Sequence, residues 1–106
     1  MEKIQKTRPG RQERVSQLIA DYLEKNDYSD RNHLITVFDV QLNRTLDYAK
    51  VYISIFPEKD NKEIFNKIEK DLYQIQSYVN KHLICKDAPK IELILSSIEQ
   101  KIFELN

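Results

Sequence analysis

Two runs of alternating residues, joined by a short polar link, constrain this chain more than any other feature. HLITVFDVQL covers residues 33 to 42 and LDYAKVYISIF covers residues 46 to 56, with NRTLD (43 to 47) as the link. Both runs are rich in β-branched and aromatic residues, the composition of strands. A link this short predicts an antiparallel hairpin. In the second run Ala49, Val51, Ile53 and Ile55 share one side, and Tyr48, Lys50, Tyr52, Ser54 and Phe56 share the other. In the first, strict alternation puts Leu34, Thr36, Phe38, Val40 and Leu42 on one face, against Ile35, Val37, Asp39 and Gln41. A sheet with one aliphatic face must cover that face, and the flanking sequence offers helices to do it.

Val15, Leu18, Ile19, Tyr22 and Leu23 recur at helical spacing and predict an amphipathic helix ended by Asn26 or Asp27. After Pro57, Asp60 and Asn61 are candidate N-caps. Ile64, Phe65, Ile68, Leu72, Ile75, Val79 and Leu83 then step by three or four without an intervening Gly or Pro. Some twenty helical residues would span roughly 30 Å, which fills or overruns a sheet of ordinary strands, so a bend or break is expected inside this stretch. Asp87-Ala88-Pro89 ends it, and KIELIL (90 to 95) predicts a third strand. Ser96 or Ser97 can cap a last amphipathic turn through Ile98, Ile102 and Leu105. The expected fold is a two-layer α+β domain with helices on one face of a three-stranded sheet.

The chain has 106 residues, enough for one core without disulfide or metal. Pro9-Gly10 divides a flexible basic leader, residues 1 to 10, from a single domain over residues 11 to 106. The one cysteine, Cys85, has no disulfide partner and reads as a small packing residue in a reducing cytoplasm. No run is long enough to span a bilayer, and the N-terminus lacks the apolar segment of a secretory signal. Seventeen basic residues balance seventeen acidic ones. Any anionic partner should therefore meet local patches. No nucleophile elbow, phosphate loop, pair of metal-binding cysteines or HExxH occurs, and His33 and His82 stand far apart. The chain is expected to be no enzyme and to need no cofactor or metal.

GRQERVSQLIADYL, LITVFDVQLNRTLDYAKVYIS and APKIELIL, together with the weaker SSIEQKIFELN, resemble bacterial ribosome-binding factor A over about residues 8 to 105. The hairpin, with Leu-x-Tyr-Ala-Lys-Val-Tyr after its polar turn, carries most of the likeness. The resemblance implies a type II KH-like domain of order α-β-β-α-α-β. It implies a cytoplasmic, monomeric, non-catalytic factor that binds the 30S subunit and its 16S rRNA during late maturation and rRNA processing, in a family associated with growth in the cold. Two departures stand out. The chain has no GxxG loop, and the Ala-x-Gly kink that replaces it in the family should fall near Asp71-Leu72-Tyr73, where neither Ala nor Gly occurs. The expected break therefore lies there.

Arg11 and Arg14 match the family's arginine pair and are candidates for rRNA phosphates, helped by Lys3, Lys6 and Arg8 in the leader. Lys81, Lys86 and Lys90 could form a second phosphate patch. Tyr48, Lys50 and Tyr52 are either a base-stacking platform or a solvated back face, and the KH-like fold favours the second because its RNA groove lies at the central helices. The competing function is a KH-like protein-interaction adaptor with little RNA affinity.

Overall fold

The computed structural model describes residues 10–28, 32–83 and 88–97. The expected final helical turn, Cys85, Lys86 and all of the leader except Gly10 lie outside the described residues. The elements are α1 (Arg11–Lys25), β1 (Leu34–Leu42), β2 (Tyr48–Phe56), α2 (Asn61–Lys70), α3 (Leu72–His82) and β3 (Lys90–Leu95). The sheet order is β1-β2-β3, with β1 antiparallel and β3 parallel to the central β2. A parallel neighbour needs a long crossover, and α2 and α3 supply it.

The helices cover the aliphatic face of the sheet. Ala49, Val51, Ile53 and Ile55 of β2 are buried with Val15, Leu18, Ile19 and Leu23 of α1, Ile64 and Ile68 of α2, Ile75 and Val79 of α3, and Ile91 and Leu93 of β3. Fully buried side chains such as Ile19, Ile53, Ile68 and Ile75 each contribute about 1.5–3 kcal/mol by leaving water.

Strict alternation fails in β1. Val37 pairs with Ile53 but Asp39 pairs with Tyr52, so the strand carries a bulge at Phe38. One extra residue inverts the side-chain pattern beyond it. Ile35 and Val37 face the helices before the bulge, opposite Ile55 and Ile53; Val40 and Leu42 face them after it, opposite Val51 and Ala49. Leu34, Thr36, Asp39 and Gln41 take the open face. The bulge thus reconciles a sequence that has apolar residues in both alternating sets.

The long helical stretch breaks at one residue. Asp71, with φ −96° and ψ 13°, leaves helical geometry between α2 and α3. The carboxylate of Asp71 makes no capping bond to α3 and instead accepts the Tyr28 hydroxyl at 2.7 Å. The break falls where it was expected, held by a tyrosine–aspartate hydrogen bond. Asp60 takes the N-cap position of α2 but makes no side-chain capping bond there; its φ of 64° is left-handed, which aspartate tolerates better than most residues.

Candidate nucleic-acid interface

The candidate interface lies on α1 and α3. Tyr22 of α1 meets Tyr78 of α3 edge to face, centroids 5.5 Å apart, while Tyr28, just past α1, reaches Asp71 at the start of α3. These two contacts run α3 back along α1, so its His82 end lies toward the N-terminal half of α1. Successive helical residues are about 100° apart, so residues spaced by three and four share a stripe. Arg11, Arg14, Leu18, Tyr22 and Lys25 follow that spacing along α1. The contacts of Tyr22 and Lys25 with Tyr78 turn this stripe toward α3.

Arg11 and Arg14 are both half-buried at the start of this stripe. Arg14 Nη1 donates to Gln17 Oε1 at a long 3.5 Å. Among the described residues neither arginine has a carboxylate partner, so both guanidinium groups can meet an anion. Lys81, exposed in the last turn of α3, points the same end of the helix pair at solvent. Lys90 is elsewhere: it opens β3 in register with Tyr48, on the uncovered face of the sheet. The structure therefore divides the proposed second patch, placing Lys81 on the helix layer and Lys90 on the open face. Arg8 and Lys86 lie outside the described residues.

The open face carries Tyr48, Lys50 and Tyr52 as expected, but its chemistry is self-contained. Tyr48 Oη donates to Glu92 Oε1 at 2.6 Å, and this bond raises the tyrosine pKa above its ordinary value. The Tyr52 ring packs against Phe38 at 6.2 Å. Lys50 and Lys90 share the face with Asp39 and Glu92, so cations alternate with anions. The hairpin turn beside it is closed by Asn43, whose Oδ1 accepts from the backbone N–H of Asp47 and of Tyr48, both at 3.0 Å. Asn43 Nδ2 and the Thr45 hydroxyl donate to Asp47, which holds that carboxyl below its usual pKa.

Sequence reasoning missed the residues between the arginines and α3. Lys25 Nζ sits over the Tyr78 ring, 5.5 Å from its centroid, and the His82 ring centroid lies 4.2 Å from that of Tyr78. In the sequence Tyr22 reads only as part of the apolar stripe. The signal was the continuation of that stripe from Arg11 through Lys25, which a search for core positions alone passes over. Tyr73, just after the break, is 79 % exposed. Among the described residues no group of three or more His, Cys, Asp or Glu is placed to hold a metal, and no helix is long and apolar enough to cross a membrane.

A family model for ribosome-binding factor A matches residues 9–105. The chain belongs to the ribosome-binding factor A family. It is 32 % identical to the ribosome-binding factor A of Coprothermobacter proteolyticus, covering 90 % of this chain and 73 % of that one. It is 29 % identical to that of Bdellovibrio bacteriovorus, covering 86 % and 69 %. The crystal structure of ribosome-binding factor A from Thermus thermophilus superposes with a TM-score of 0.65 at 14 % identity, covering 79 % of this chain and 89 % of that one. At that identity the likeness speaks to the fold, and the α-β-β-α-α-β order with its mixed sheet is the type II KH-like arrangement. This member of the family forms its helix break at Asp71, where neither Ala nor Gly occurs.

Proposed function

We propose that the chain binds the small (30S) ribosomal subunit through 16S rRNA during late maturation and rRNA processing, as a cytoplasmic, monomeric, non-catalytic factor. The observation that carries this reading is the placement of Arg11 and Arg14. They share one stripe of α1 and lie toward the Lys81 end of α3, with no carboxylate partner among the described residues. Phosphate contacts supply most of the affinity of such complexes and make it depend on salt. Membership of the ribosome-binding factor A family supports the choice of partner.

The test is co-sedimentation of the purified protein with free small subunits and with assembled ribosomes, across a salt series. Changing Arg11 and Arg14 together to Glu weakens subunit binding and flattens the log–log salt slope by about one to two units if both arginines contact phosphate. Lys59 and Lys62 to Glu is the matched control, on a loop and first helical turn away from the seam. Equal losses from both pairs would mean bulk charge; no loss from the arginine pair would sink the assignment. The adaptor reading has one observation in its favour. Leu34 and Phe56, paired across β1 and β2 on the open face, are 67 % and 69 % exposed. Loss of subunit binding on Phe56→Ser, with none from the arginine pair, would select that reading.

A further inference from the structure

We propose that an unpaired RNA base stacks on the outer face of His82, the exposed end of a Tyr22–Tyr78–His82 aromatic row on the α1–α3 seam. The inference rests on the RNA-binding reading above and names a contact within it. Three observations carry it.

The first is the row itself. Tyr22 and Tyr78 are 5.5 Å apart, edge to face, and Tyr78 and His82 are 4.2 Å apart with an interplanar angle of 35°. His82 is exposed, so it completes the row without being part of the core. The second is that the histidine ring is held. His82 Nδ1 lies 2.9 Å from the Tyr78 carbonyl oxygen. A carbonyl only accepts, so Nδ1 carries the proton, and in the neutral ring Nε2 is left as an acceptor. That atom suits a base amino group or a ribose 2′-hydroxyl. A fixed, exposed ring beside an already stacked tyrosine presents a flat face at little further cost in conformational entropy.

The third is charge. Lys25 stands over Tyr78 and also donates to its hydroxyl at 3.4 Å. Arg11 and Arg14 lie on the same α1 stripe, and Lys81 is the residue before His82. Asp21, one residue before Tyr22, is the acidic residue on this side of α1. Among the described residues these four cations outnumber Asp21 and the Asp71 carboxylate, which Tyr28 engages at the far end of the seam, and so favour an anionic strand; aromatic rings among cations are how single strands are gripped without reading their sequence. A duplex offers no unstacked base to the ring, so the ligand is a single-stranded or bulged segment.

The experiment measures affinity of the full chain for purified small subunits, with His82→Ala and His82→Phe compared at several salt concentrations. Stacking on an aromatic ring predicts about a 5- to 150-fold loss for His82→Ala. His82→Phe keeps the flat face and recovers most of that loss. The salt slope of His82→Ala stays at the wild-type value, because no phosphate contact has been removed, whereas Arg11→Glu with Arg14→Glu flattens it. Ultraviolet cross-linking to the subunit places a nucleotide on the segment that carries Tyr78 and His82. His82→Ala binding as tightly as wild type overturns the proposal and leaves the arginine assignment standing. Equal losses from His82→Ala and His82→Phe also overturn it, since they would trace to the imidazole nitrogen and not to a stacking face. Wild-type protein that fails to bind the subunit at all overturns the RNA reading and this contact with it.

Discussion

Gln76→Ala should destabilise the domain by about 2–3 kcal/mol, a large effect for one helical surface-to-core position. Lys90 donates its N–H toward β2, to Asp47, so the next N–H, that of Ile91, points to the open edge of the sheet. Gln76 of α3 fills that edge. Its Oε1 accepts from Ile91 N at 2.9 Å, and its Nε2 donates to the Pro89 carbonyl at 2.9 Å and to Asn80 Oδ1 at 3.0 Å. One side-chain amide thus stands in for a neighbouring strand and ties α3 to the start of β3. Alanine leaves a backbone donor and a backbone acceptor without partners beside the buried Pro89. Each unsatisfied group costs about 1–3 kcal/mol, at the low end where water can enter. The better helix propensity of alanine returns about 0.3–0.5 kcal/mol. Urea denaturation is the assay. With a slope of about 1–1.5 kcal/mol per molar for a domain this small, the midpoint should fall by about 1.5–2 M with the slope unchanged. Gln76→Glu should fail as well, because it turns a carboxylate oxygen toward the Pro89 carbonyl. A midpoint shift below about 0.4 M for Gln76→Ala would refute the reasoning.

Tyr28→Phe removes the hydroxyl that Asp71 accepts and should cost about 1–2 kcal/mol, read as a lower urea midpoint and faster amide exchange around the α2–α3 break. Burial first, and the Asp71 carboxylate second, raise the Tyr28 pKa above its ordinary value of 10.0. A raised folded-state pKa gives stability that is fully present below pH 10 and is lost as pH climbs above it, so wild type should weaken in strong alkali more steeply than Tyr28→Phe; parallel pH profiles would refute the linkage. The Phe38 bulge predicts opposite outcomes from strict alternation. Val37→Asp, against Ile53 on the helix-covered face, should cost about 3 kcal/mol or more, and Phe38→Asp, on the open face, about 1 kcal/mol, measured by urea denaturation. The reverse order would show that β1 runs without a bulge.

The alternation of Ala49, Val51, Ile53 and Ile55 fixed which face of β2 is covered, and the structure buries all four. The periodicity from Ile64 to Leu83 fixed a helical stretch, and its length against the sheet required a break. Those inferences succeed because burial acts on each residue separately and repeats with the period of the backbone. The face of β1 was not legible. With apolar residues in both alternating sets, only pairing with β2 shows that one residue is extra and that the pattern inverts at Phe38. The same limit applies to the site. Arg11 and Arg14 are candidates through the family resemblance, and Lys81 and Lys90, near in sequence, stand on different layers of the fold. Tyr22, Lys25, Tyr78 and His82 come together only because α3 runs back along α1, a contact between residues more than fifty positions apart. Sequence by itself determined the described elements and the buried sides of the helices, β2 and β3, since local geometry sets the period. Tertiary structure alone decided the register of β1, the tyrosine that holds the break at Asp71 and the aromatic row on the helix seam, since each depends on which distant segment packs alongside.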